Sequence, residues 1–150
     1  MNFQFFATCP RGLEALLADE LLVQRALKIL VTDGGVSFEG NLDTMYRVNL
    51  HSRIATRVMS SVGQGSYSSE EDIYKATFKL NWPAWFKVNQ TIRVKVTGVK
   101  CPLKSLDFVT LRIKDAVCDR FREEGALRPS VSVRDPDVRI HAYLTQDQYQ

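Results

Sequence analysis

Over residues 3–8, Phe3, Phe5 and Ala7 alternate with Gln4, Phe6 and Thr8, the period-two pattern of a half-buried strand, which Cys9 and Pro10 bring to an end. Leu13, Leu16, Leu17 and Leu21 then recur on one face at helical spacing while Glu14, Asp19 and Glu20 occupy the rest. This predicts a helix over 12–25 that packs on a sheet. A β-rich run at 28–32 meets Asp33, Gly34 and Gly35, expected to supply the positive-φ positions of a tight turn into a second strand at 36–39. Gly40 is a breaker and Asn41 a candidate N-cap, so a helix is expected from Leu42 to about Met59, and the main internal boundary is placed at residue 40.

The Ser- and Gly-rich stretch 60–69 reads as a loop. Ser69 followed by Glu70, Glu71 and Asp72 reads as the start of a helix running to about Leu80, with acids near the positive end of its macrodipole. Asn81, Trp82 and Pro83 stop it, and Trp82, Trp85 and Phe86 read as a packing cluster in preference to a base-stacking platform, given the area such rings bury. Ile92, Val94 and Val96 alternate with Arg93, Lys95 and Thr97, a strand with one apolar and one partly basic face. After a loop at 98–104, Leu106, Val109, Ile113, Ala116 and Val117 mark a helix over 105–124. Val138, Ile140, Ala142 and Leu144 alternate with Arg139, His141 and Tyr143 in another strand. Residues 146–148 then read as a turn, and Tyr149 as the start of a return strand. The pattern is α/β (α+β): a mixed or antiparallel sheet flanked by helices, in two packed parts meeting near residue 40.

Composition narrows the class more than the function. With 45% hydrophobic and 25% charged residues, 150 residues suffice for one globular domain or one domain with an appendage. No apolar run approaches the roughly 20 residues of a bilayer span, and the start lacks the basic and apolar regions of a signal peptide, so a cytoplasmic location is expected. Cys9, Cys101 and Cys118 are odd in number and far apart, which argues for buried thiols and against a disulfide framework or zinc site. The net charge of +3 says little, but its distribution says more. Residues 1–43 carry three basic and six acidic side chains, 44–69 carry Arg47, Arg53 and Arg57 with no acid, and 93–122 carry eight basic residues against three acidic ones.

Catalytic signatures are missing. There is no Walker loop, GxGxxG or GxSxG, and Gly63 and Gly65 make an ordinary turn. His51 and His141 lie 90 positions apart and receive no catalytic or metal role. Asp135 and Asp137, which bracket Pro136, read as turn chemistry.

The order of FFATCPRGLEALLADEL, DGGVSFEG, MYRVNLHSRIATRVM, IKDAVCDRF and VSVRDPDVRIHAYL resembles the THUMP-containing large-subunit rRNA methyltransferases, most nearly the bacterial guanine-N2 methyltransferase L group, over essentially all 150 residues. The resemblance implies a small ferredoxin-like segment at 1–40 and a THUMP domain at 41–150 that grips structured 23S rRNA. It also implies a downstream Rossmann-type domain that binds S-adenosylmethionine and transfers methyl. The family's Asn-Pro-Pro-Tyr type motif has no counterpart here, since Trp82 follows Asn81 and Gln90 follows Asn89, so no catalytic, cofactor or metal residue is assigned to this segment.

A module that delivers RNA to a separate active site is expected to contribute phosphate contacts from Lys and Arg more than base readout. The candidates are Arg53 and Arg57 in the acid-free helix, Lys95 on the strand's outer face, Lys100 and Lys104 in the loop, and Arg112 and Lys114 on the following helix. Surface charges often merely solvate a face, and Lys114 has Asp107 and Asp115 within reach on its own helix. Two alternatives stay open: a protein-interaction or dimerisation module anchored by Trp82, Trp85 and Phe86, and part of an adenine-specific DNA methylase.

Overall fold

A computed structural model describes residues 1–150. Along the chain run β1 (Phe3–Thr8), α1 (Glu14–Val23), β2 (Leu27–Thr32), β3 (Gly35–Gly40), α2 (Leu42–His51), β4 (Arg57–Ser60), β5 (Gly65–Ser66), α3 (Glu70–Phe78), β6 (Ile92–Gly98), α4 (Leu106–Glu124), β7 (Val138–Leu144) and β8 (Gln148–Tyr149), with a single 3-10 turn at Trp82–Ala84. The chain divides into two compact units, Met1–Val62 and Gly63–Gln150. The division falls beyond the expected boundary at residue 40 because α2 and β4 complete the first unit: β4 pairs with β1, and Val48 of α2 lies in the first core.

The first unit is βαββαβ, with a wholly antiparallel sheet in the order β2-β3-β1-β4. Phe5, Ala7, Val36 and Phe38 meet Leu17, Leu21 and Val48 in its core. Of the four leucines expected on the packing face of α1, only Leu17 and Leu21 are buried; Leu13 and Leu16 are exposed at the flank. The Glu14 carboxylate accepts the amides of Gly12 (2.7 Å) and Gly34 (3.0 Å), tying the start of α1 to the β2–β3 turn. Of the three turn residues, Gly34 alone has positive φ (81°). Gly35 is required for another reason, since a Cβ there would stand 2.4 Å from the Ala7 carbonyl oxygen. Asn41 caps α2 by accepting the Thr44 amide at 2.9 Å. The helix ends at His51, not near Met59, because the Ser52 hydroxyl accepts the Ala55 amide (3.0 Å) in a local turn and residues 57–60 pair with β1.

The second unit has a mixed sheet in the order β5-β8-β7-β6, in which β6 and β7 are parallel and joined through α4. Ser69 and Asp72 form a capping box at α3, and Ser105 caps α4. Val109, Ile113, Val117 and Phe121 of α4 pack with Ile73 of α3, Ile92 of β6, and Ile140 and Leu144 of β7. Trp82 is buried, donates its indole N–H to the Thr77 carbonyl (2.8 Å), and meets Trp85 edge-on at 5.3 Å. Phe86 is buried against Phe121 at 5.0 Å. The Asp137 carboxylate accepts the amide (2.8 Å) and hydroxyl (3.1 Å) of Thr91, pinning the start of β7 to that of β6. Turn chemistry is what the Asp135–Asp137 segment suggests in sequence; the Asp137 carboxylate serves instead as a tie between two strands.

Candidate nucleic-acid interface

Strand alternation sorts the β6–β7 pair into two faces. Ile92, Val94, Val96, Ile140, Ala142 and Leu144 join the core with α3 and α4. On the opposite face the parallel register sets Arg93 beside Arg139, Lys95 beside His141, and Thr97 beside Tyr143. Neither strand contains a carboxylate. Lys95, Arg139 and His141 are exposed, and Tyr143 is 46% exposed. Arg93 donates to the Val133 carbonyl at 2.9 Å, which orients its guanidinium without neutralising it.

Arg139 is not among the residues singled out from sequence. Its alternation with Ile140 signals an outward side chain, but the parallel register that lays β7 against β6 is a non-local pairing that leaves no mark in a single strand's pattern.

Within the second unit the other candidates have separate surroundings. Lys100 (φ 55°) and Lys104 are exposed in the loop between β6 and α4. Arg112 turns toward α3, where it pairs with Glu71 at 2.8 Å and its guanidinium carbon lies 4.1 Å from the centroid of the Tyr74 ring. The Tyr74 hydroxyl donates to Asp119 at 2.7 Å, a bond that, with burial, pushes its pKa up to about 12. Lys114 pairs with Asp115 at 2.9 Å and lines a shallow groove of about 280 Å³ with Cys118, Arg128, Pro129, Ser130 and Val131. In the first unit, Arg53 follows the end of α2 and Arg57 opens β4, so neither lies in a helix as expected. Both are exposed. The acid-free stretch around them is answered from α1: Glu20 accepts the Ser52 hydroxyl at 2.6 Å and the Arg53 amide at 3.1 Å.

The remaining reactive groups have structural settings. Cys9 and Cys118 are buried, and burial raises both thiols, the opposite of what activates a nucleophile. No group of three or more His, Cys, Asp or Glu side chains is arranged to hold a metal ion, and no helix is long and apolar enough to cross a membrane.

A ferredoxin-like βαββαβ unit precedes a mixed-sheet unit with a basic open face, and each matches a known family. Residues 67–149 match the THUMP domain and residues 4–59 the RlmL ferredoxin-like domain. The chain belongs to the THUMP domain family. It is 39% identical over 145 residues to the ribosomal RNA large subunit methyltransferase K/L of Syntrophotalea carbinolica, a match that covers 97% of this chain and 20% of that one. The chain thus spans about a fifth of the length of such relatives. Among solved structures, a predicted N6-adenine-specific DNA methylase from Listeria monocytogenes superposes with a TM-score of 0.85 at 26% identity, covering 99% of this chain and 39% of that one. SMU.472, a putative methyltransferase complexed with SAH, superposes at 0.84 and 24% identity, covering 99% and 40%, a likeness of fold.

Proposed function

We propose that this chain is the RNA-binding module of an S-adenosylmethionine-dependent rRNA methyltransferase of the cytoplasm, positioning structured 23S rRNA for guanine-N2 methylation by a downstream domain. The observation that carries the reading is the acid-free face of the THUMP domain on which Arg93, Lys95 and Arg139 stand together. Cations on a rigid sheet bind phosphates without selecting bases, which suits a module that orients RNA for chemistry done elsewhere. Arg53, Arg57, Lys95, Lys100, Lys104 and Lys114 complete the proposed contacts. Arg112 is the member most firmly held by its own fold.

The chain's own residues do not fit the cofactor. Its one strand-helix-strand unit with directly paired parallel strands, β6–α4–β7, has no glycine in the connection between β6 and α4, and β7 ends on Ala142, Tyr143 and Leu144 with no acid to hold a ribose. Cofactor binding and methyl transfer therefore belong to the rest of the protein in this reading. The protein-interaction alternative loses two of its three anchors, because Trp82 and Phe86 are buried.

The test is binding of the chain to a structured 23S rRNA fragment and to duplex DNA of equal length across a salt series. Preference for RNA with a steep salt slope is the expected result. Equal affinity for both would mean that the basic face is a generic polyanion surface, a preference for DNA would favour a DNA methylase, and no binding at low salt would remove the RNA reading in favour of an interaction module.

A further inference from the structure

The helix α2 is apolar on two sides. Thr44 and Val48 are buried on the face turned to the first core, while the opposite face presents Leu42, Tyr46 and Leu50, which are 50, 65 and 77% exposed. These three recur at i, i+4 and i+8, so they form one stripe along the solvent side, where a surface helix ordinarily carries polar residues. Asp43 and Arg47, an ion pair one turn apart, flank the stripe on one side, and Asn49 flanks it on the other. The apolar surface continues on α1. Leu16 and Val23 are exposed and share a flank with Glu20, whose carboxylate reaches Ser52 and Arg53 at the end of α2. Contiguous exposed apolar surface of this kind marks an interaction site.

We propose that this face is a contact between two copies of the chain, with α2 packed antiparallel on the α2 of its partner about a two-fold axis beside Tyr46. What singles out a second copy is that the stripe is its own complement. Leu42 and Leu50 stand at equal distances on either side of Tyr46, so a two-fold reversal sets each Leu42 against the partner's Leu50 and each Tyr46 against its own counterpart. Tyr46 also lies at the middle of Leu42–His51, so the reversal overlaps the two helices along nearly their whole length and opposes their macrodipoles favourably. The charges agree. Such an axis lays each flank on the same flank of the other copy, which brings Asp43 within reach of the partner's Arg47 and Arg47 within reach of the partner's Asp43. The Leu16 and Val23 flank of α1 is carried toward its own counterpart in the same way. A face of two short helices falls at the low end of the interface scale, about 1,200 Å² in total or less, so the dimer is a weak one.

The experiment is sedimentation velocity of this chain between about 5 and 500 μM, a range that spans weak association. A concentration-dependent shift from monomer to dimer is expected, with a dissociation constant on the order of 10–100 μM. Tyr46→Asp and Leu50→Glu, each at an exposed position, are expected to weaken dimerisation by about tenfold or more and to leave the melting temperature unchanged. Asp43→Arg is expected to weaken it too, and combining it with Arg47→Asp to restore it, a reversal that non-specific apolar association does not produce. On mild oxidation, Tyr46→Cys is expected to form a disulfide-linked dimer faster than Asn89→Cys, an exposed site in the second unit. A chain that stays monomeric to the top of the range, or a dimer indifferent to both Leu50→Glu and Asp43→Arg, would overturn the proposal and leave the α2 face to a different occupant, with the RNA-binding reading untouched. Crosslinking no faster at Tyr46→Cys than at Asn89→Cys would overturn it as well.

Discussion

The guanidinium carbon of Arg112 lies 4.1 Å from the centroid of the Tyr74 ring, and the same side chain reaches Glu71 at 2.8 Å. This joins α4 to α3 on a residue whose sequence context, a basic segment, suggests RNA contact. A stacked, partly desolvated cation with an ion pair contributes about 1–2 kcal/mol. Arg112→Ala is accordingly expected to lower unfolding stability by that amount in urea titration. Arg112→Lys should recover little, because an ammonium cannot stack as a plane. A variant as stable as the parent would return Arg112 to the pool of free surface cations.

The carboxylate of Glu20 predicts the acid limb of stability. Burial alone would raise its pKa, but the Ser52 hydroxyl, the amides of Arg53 and Ile54 and the Arg53 charge outweigh it and hold the group below its ordinary 4.5. A depressed folded-state pKa contributes stability that is fully present above the unfolded value and lost as pH falls through the folded one. Melting temperature is therefore expected to hold down to about pH 4.5 and then fall. Glu20→Gln should flatten that fall and lower the plateau above it, since the amide receives the same donors less strongly. Identical profiles for the two chains would show that the Ser52–Ile54 turn does not depend on the charge.

Two adjacent glycines make different demands. At Gly34, with φ 81°, a Cβ meets nothing within 4 Å, so alanine is limited by backbone conformation and is expected to cost about 1 kcal/mol. At Gly35 a Cβ would lie 2.4 Å from the Ala7 carbonyl oxygen and 2.6 Å from the Phe6 ring, so β3 must separate from β1 to admit it. Gly35→Ala should destabilise by several times the Gly34→Ala cost, in the range of about 3 kcal/mol or more for disruptive core changes. Chemical denaturation of both variants decides, and equal losses would mean that the strands give way easily.

What the sequence makes legible is local. The Phe3–Thr8 alternation, the Asn41 and Ser69 caps and the apolar stripe of α4 each place an element, because the pattern and the partners lie within a few residues. Arg57–Ser60 escapes such a reading. Its four residues carry on from a helix without a Gly or Pro, and what makes them a strand is the free edge of β1, some fifty residues back along the chain. The basic interface fails in the same way. Lys95 is recognisable from its own strand, whereas the pairing with His141 and the nearness of Arg139 depend on a crossover through α4. Arg112 and Lys114, by contrast, fall on opposite sides of the apolar stripe by helical spacing alone, and α4 turns one to Tyr74 and the other to the Arg128 groove.

That separation predicts how individual cations enter the salt dependence of RNA binding. Each cation removed from a bound phosphate should reduce the slope of log affinity against log salt by about 0.9 for a duplex and about 0.7 for a single strand. Lys95→Ala and Arg139→Ala, on an exposed and rigid sheet face, are each expected to flatten the slope by about one such increment without lowering the melting temperature. Arg112→Ala should do the reverse, lowering stability and leaving the slope nearly unchanged, because its charge is already answered by Glu71. The triple variant Lys100→Ala, Lys104→Ala and Lys114→Ala separates the loop from the sheet. A slope flattened by two increments would assign the work to Lys100 and Lys104 in the β6–α4 loop, with Lys114 engaged by Asp115. Flattening by three would mean that RNA displaces Asp115 and that the Arg128 groove is part of the bound surface. An unchanged slope in the triple variant together with a flattened one in Lys95→Ala would confine the interface to the β6–β7 face.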